Sequence, residues 1–153
     1  MLSWAQWLDT TWISMAMHNP RVYSTVDTLH QLGMVIFVGT IVIVSLRLLG
    51  LLMARRPVSE VTRQVRWGMM AGLGSLLVTG PLVFVAESER WYTNGPFQLK
   101  MAVLLTALLF HFTVFRSVTR RDDSGRWVHA CTGAAALVLW FGVGWMGRLI
   151  TVL

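Results

Sequence analysis

The chain has 153 residues, 55% hydrophobic and only 13% charged, with a mean hydropathy of +0.59. Soluble domains carry about 25% charged residues, so this composition excludes an ordinary water-soluble enzyme. The net charge of +6 does not point to nucleic acid, because nine of the thirteen basic residues fall in two short connecting regions: Arg47, Arg55, Arg56, Arg63 and Arg66, then Arg116, Arg120, Arg121 and Arg126.

In chain order, residues 3–17 are too short to cross a bilayer at about 20 residues per span. Trp4, Trp7, Trp12 and Met15 fall within half of a helical circumference, away from Gln6, Asp9 and Thr10. This spacing predicts an amphipathic helix lying on the outer interface, where indole rings prefer to sit. Asn19-Pro20 should end it. Ser24-x-x-Asp27 reads as a capping box opening a first span of about 25–54, halted by Arg55-Arg56-Pro57. A second span covers about 62–85, with Gly68-x-x-x-Gly72 permitting close helix contact and Gly80-Pro81 placing a kink. Asn94-Gly95-Pro96 starts a third span of about 97–118. Asp122-Asp123-Ser124-Gly125 forms a turn, and a fourth span runs over about 127–152.

The pattern predicts an all-α integral membrane protein: a four-transmembrane-helix antiparallel bundle with an N-terminal interfacial amphipathic helix, one membrane domain over residues 1–153. The basic loops place both termini outside and the loops in the cytoplasm of a bacterial inner membrane. On the outer side Arg21, Arg90, Lys100 and Arg148 are balanced by Asp9, Asp27, Glu87 and Glu89. The first residues lack the basic n-region of a cleaved leader. The single cysteine, Cys131, reads as a packing residue.

Leu29-His30-x-x-Gly33, Leu46-Arg47-Leu48-Leu49-Gly50, Thr79-Gly80-Pro81-Leu82, Phe97-x-x-Lys100 and Gly147-Arg148 resemble, in order and along nearly the whole chain, a family of bacterial four-helix inner-membrane proteins of unknown function. The resemblance implies an architecture and no activity. A more distant likeness runs to membrane b-type cytochromes and to the copper-resistance membrane proteins of the D type, through a histidine on the first helix of a small bundle.

Ionisable groups in hydrocarbon are costly and mark candidate sites. Neutral imidazole ligates haem iron and copper. His30 lies roughly 25 Å from Arg47 toward the outer face, whereas His111 lies about 7–8 Å and His129 about 4–5 Å from the inner boundary, at 1.5 Å per residue. His30 and His111 therefore should not share a haem. Two pairings remain: His111 with His129 on the inner side, and His18 with His30 on the outer side. Arg47 is the candidate propionate partner of an inner haem b, and Lys100 with Arg148 of an outer one.

Each residue also has a plainer reading. His111 is either a ligand or a neutral imidazole bonded to a backbone carbonyl. His129 and His18 suit interfacial positions, and Arg47 suits a side chain that snorkels to headgroups. His30 is expected to be functional, as haem ligand, metal ligand or quinone hydrogen-bond partner, with Asp27 either orienting it or capping the helix. No nucleophile–base arrangement, phosphate loop or paired-carboxylate site occurs, which disfavours hydrolases and nucleotide-dependent enzymes. The leading expectation is a haem b protein, with one or two haems, passing electrons to or from quinone or a redox partner protein. The alternatives are outer-side copper handling through Met15, Met17, His18 and His30, and a non-catalytic subunit or assembly factor of a larger complex. A homo-oligomer or such a complex is the expected state.

Overall fold

The computed structural model describes residues 7–8, 10–86, 88 and 95–152, with side chains described as far as 147. Five elements carry the fold: a short helix α1 (Trp12–Met17), then α2 (Pro20–Leu48), α3 (Val58–Ala86), α4 (Gly95–Thr119) and α5 (Arg126–Val152). The last four are long and apolar enough to cross a membrane. Each exceeds the roughly 20 residues that a bilayer needs, and the protein is an all-α bundle of four membrane-spanning helices.

The helix ends explain where the structure departs from the sequence reading. The expected capping box Ser24-x-x-Asp27 lies inside α2. That helix begins four residues earlier, where the Asn19 side chain accepts the Arg21 amide at 3.0 Å and Pro20 takes the first helical turn. Pro at this position sacrifices no helical hydrogen bond. At its other end α2 stops at Leu48, six residues short of Ala54. Gly50 takes φ +76°, Leu51 donates to Leu46 O at 2.9 Å, and Gly50 donates to Arg47 O at 3.0 Å. This is a Schellman closure, which needs a residue tolerant of left-handed φ. Helix α3 opens at Val58, just after Pro57, and continues through Pro81.

Within the expected interfacial helix of residues 3–17, the described residues are helical at Trp7 and Leu8 and again in α1, with a break at Thr10 and Thr11. Amides of Thr10 and Thr11 fold back onto Trp7 and Leu8 carbonyls, and the Thr11 hydroxyl caps α1 through the Ser14 amide. Residues 1–6 and 9, with Trp4, Gln6 and Asp9, lie outside the described residues. Trp7 and Trp12 are exposed, whereas Ser14 and Met17 turn inward.

Helix α2 is the spine of the bundle. It packs on α3 and α5, and α5 packs on α4, so the order around the bundle is α3, α2, α5, α4. Among the described residues, the α3 and α4 backbones approach each other only through the stretch Arg116–Thr119 at the end of α4. Phe37, Ile41, Val44 and Leu48 of α2 meet Ala107 and Phe115 of α4 and Ala136, Trp140 and Val143 of α5. Large apolar side chains such as Val35, Leu77, Leu105 and Val138 face outward, as lipid-facing residues do. Hydroxyls of Thr62, Thr106, Thr113 and Thr119 return to carbonyls four residues back, which keeps them paired in hydrocarbon.

Two small-residue contacts set the helix spacing. A Cβ at Gly72 would stand 2.7 Å from the Phe37 amide nitrogen and 2.9 Å from Gly33 O, and one at Gly33 would strike Ser75 at 2.8 Å. Gly133 approaches Ser45 O in the same way, at 2.8 Å. In the loops, Asp122 accepts the Ser59 amide at 3.0 Å and also takes the Ser59 hydroxyl. A residue of the α4–α5 turn thus caps the N-terminus of α3.

Two expectations follow. Gly72→Ala should cost about 1–3 kcal/mol through forced separation of α2 and α3. Gly74→Ala, which meets no atom within 4 Å, should be neutral or stabilising; thermal unfolding in detergent measures both, and the reverse order would contradict the packing described. Asp122→Ala should cost about 0.5–1 kcal/mol at neutral pH, the low end for a cap because the pair is exposed. The Ser59 hydrogen bonds hold the Asp122 carboxyl below its ordinary range. Its contribution is therefore complete above the ordinary carboxyl pKa and is lost as pH falls through the lower folded value. The gap between wild type and variant should close on acidification.

Candidate functional site

His30 projects from α2 toward α3, about 10 Å along the helix from the core residue Phe37. The glycine crossing at Gly33 and Gly72 brings the two backbones close enough for short polar side chains to bridge them. Ser75 Oγ donates to Leu29 O at 3.1 Å, and one turn further Thr79 Oγ1 lies 2.8 Å from His30 Nδ1. The Thr79 hydroxyl has one proton, which it donates to Ser75 O at 2.7 Å. Thr79 can then only accept from His30. A hydroxyl so directed pairs with the Nδ1-protonated tautomer of His30, in which Nε2 keeps a lone pair that receives no hydrogen bond from the described residues. Gly80 sits against the same ring, its Cβ position 3.7 Å from Cε1.

Lys100 of α4 faces this region and is near enough for its charge to act on His30. Its Nζ lies 3.5 Å from the Cβ position of Gly147 on α5. Phe84 of α3 and Phe97 of α4 stack at 5.4 Å between ring centroids, near the end of α3 and the start of α4. Asp27, the sequence candidate for orienting His30, accepts from Gln31 Nε2 at 2.8 Å; the orienting group is Thr79. Thr79 escaped the sequence reading as a site residue although it lay inside the Thr79-Gly80-Pro81-Leu82 motif, which was the available signal. The Arg148 side chain and residues Glu87 and Glu89 fall outside the described side chains.

The other histidines stand apart. His111 is 6% exposed and lies in the middle of the bundle. It opens a π-helical stretch, His111–Phe115. Within this stretch the His111 and Phe115 rings stack at 5.3 Å. Phe37 and Trp140 close the surround, at 5.5 and 6.2 Å from the imidazole. His111 Nδ1 and Trp140 Nε1 are both buried without a hydrogen-bond partner. Of the two readings of His111, the bond to a backbone carbonyl is not made through Nδ1.

His129 is eleven residues before Trp140 on α5, about 16 Å along the axis, and its Nε2 lies 3.4 Å from Arg121 O. The structure does not bring His111 and His129 together. His18 donates through Nδ1 to Ser14 O at 2.7 Å and precedes Pro20, which is about 15 Å along α2 from His30. Met15 is 63% exposed and Met17 4%, so the soft ligands of the copper set diverge. Among the described residues no three His, Cys, Asp or Glu converge as a metal site. Arg47 donates from Nε to Arg56 O at 2.6 Å, which ties it to the loop beyond α2.

The chain belongs to the family of unknown function DUF6644, whose model matches residues 3–152. No curated protein and no solved structure matches it. Thr79→Val should leave the His30 Nδ1 proton unpaired at a cost of about 1–3 kcal/mol, whereas Thr79→Ser should preserve it. Nitrogen NMR of labelled histidine checks the assignment: wild type should show the Nδ1-protonated tautomer at His30, and the valine variant a mixture.

Proposed function

We propose that this four-span member of DUF6644 is a b-type haem protein of the bacterial inner membrane that passes electrons, with quinone or a redox protein as partner. The observation that supports it best is the hydrogen bond between His30 Nδ1 and Thr79 Oγ1, at 2.8 Å. A ligating histidine usually donates its second ring proton to a neighbouring acceptor, which orients the ring and leaves the other nitrogen bare. Thr79 plays that part, and Nε2 of His30 is the nitrogen left for iron. Haem supplies one-electron chemistry when bound. Lys100 and Arg148 are the cationic partners for its propionates, and Gly80 and Gly147 keep helices α3 and α5 free of side-chain bulk beside His30 and Lys100.

The bare Nε2 also accepts a hydrogen bond from a quinol hydroxyl, so His30 serves a quinone exchanging protons and electrons on the same side. In this reading the basic loops lie in the cytoplasm, with His30 in the outer half and both termini outside. The isolated positions of His111 and His129 favour a single haem over a stacked pair. Copper handling and a purely structural role in a larger complex are the readings against which it is tested.

A dithionite-reduced minus oxidised spectrum of gently purified protein, with haem quantified per chain, is the test. A Soret shift with an α-band at one haem per chain is expected. His30→Ala should abolish it, and His129→Ala should leave it intact. A featureless spectrum from protein produced with ample haem would overturn the proposal.

A further inference from the structure

At the end of the bundle that carries the basic loops, a cavity of about 880 Å³ opens between the end of α2, the start of α3 and the start of α5. Its polar wall is cationic. Arg47 is anchored there by the Nε bond to Arg56 O, and its two terminal nitrogens have no partner among the described residues. Arg126 makes no ion pair among the described residues, and His129 borders the same space. Asp122 also lines the cavity, but its two oxygens are engaged by the Ser59 amide and hydroxyl. Leu48, Leu49 and Trp127 supply the apolar wall.

We propose that this cavity binds the phosphate of an anionic phospholipid, with Arg47 and Arg126 as its cationic contacts. Arginine pairs with phosphate through several donors at once. The volume is far larger than one phosphate group and falls in the range of sites that enclose much of a ligand. The apolar wall matches the glycerol and first acyl carbons beneath a headgroup, and the helix ends put the site at headgroup level. Basic pockets between membrane helices recognise such headgroups. This site is separate from His30 and stands whether or not haem binds there.

The test is native mass spectrometry of the full chain in detergent, titrated with phosphatidylglycerol or phosphatidylcholine, alongside thermal unfolding. Phosphatidylglycerol should be retained preferentially and raise the melting temperature. Arg126→Gln, at the exposed start of α5, should lower its retention about fivefold, as one cationic contact near the surface is worth. Arg47→Gln should do the same, and the double variant should bind both lipids alike, with an unchanged helical circular dichroism spectrum. Equal retention of both lipids by wild type would overturn the proposal, as would undiminished phosphatidylglycerol binding in folded Arg126→Gln. Inorganic phosphate at millimolar concentration should neither stabilise the protein nor displace the lipid; stabilisation by phosphate alone would assign the site to a soluble ligand and overturn the lipid assignment.

Discussion

The contact between Gly33 and Gly72 is the constraint on which the rest of the molecule depends. Lipid chains are as apolar as leucine side chains, so the hydrophobic effect does not pull membrane helices together, and association rests on close packing and interhelical hydrogen bonds. Both are supplied at this crossing. The missing Cβ atoms let the α2 and α3 backbones touch, with Phe37 N and Gly33 O within 3 Å of the Cβ position of Gly72. That approach puts Ser75 within reach of Leu29 O, and Thr79 within reach of His30. A longer interhelical distance would leave the imidazole unoriented and both hydroxyls turned back on their own helix.

The same spine organises the opposite face. Phe37 stands beside Gly72 on one side and against Trp140 and His111 on the other, with ring centroids 4.5 and 5.5 Å away. The centre of the bundle is therefore an aromatic cluster that contains two unpaired polar atoms, His111 Nδ1 and Trp140 Nε1. Its rings touch, leaving no layer for a flat cofactor between them. The region around His30 differs because the helices beside it present glycines and the α3 and α4 backbones separate. Two histidines in one small bundle thus have different surroundings: His111 packs as an aromatic residue, whereas His30 keeps one nitrogen oriented and one free.

Much of this was legible in sequence, and the reasons are specific. Span number, antiparallel order and the basic loops follow from apolar length and charge placement, which bilayer thickness makes nearly unambiguous. His30 stood out because a titratable group within an apolar run is rare. Gly50 carried a readable stop signal in Leu46-Arg47-Leu48-Leu49-Gly50, yet the apolar residues that follow it extended the expected helix to Ala54. The start of α2 was misplaced for a related reason: Asn19-Pro20 marks an end and a beginning at once, and the later Ser24-x-x-Asp27 competed for the role. The π-helical turn at His111 left no trace in the residue pattern, because winding is decided by what the inward face must meet.

By itself the sequence determined the solvent, the number of crossings and the rarity of His30, since each depends on composition along a single helix. Only the tertiary structure decided which partner orients that histidine. In one dimension Asp27, one turn away on the same helix, was the candidate, whereas Thr79 is 49 residues distant. The glycine crossing brings Thr79 to the imidazole, while Asp27 is occupied by Gln31. The paired histidines estimated from depth stand apart along the axis, because His111 packs at the level of Trp140 and His129 at that of Arg121. For His30 the rise gives height in the membrane but not rotation about the axis, and rotation toward Thr79 is set by the small residues that let α2 and α3 meet.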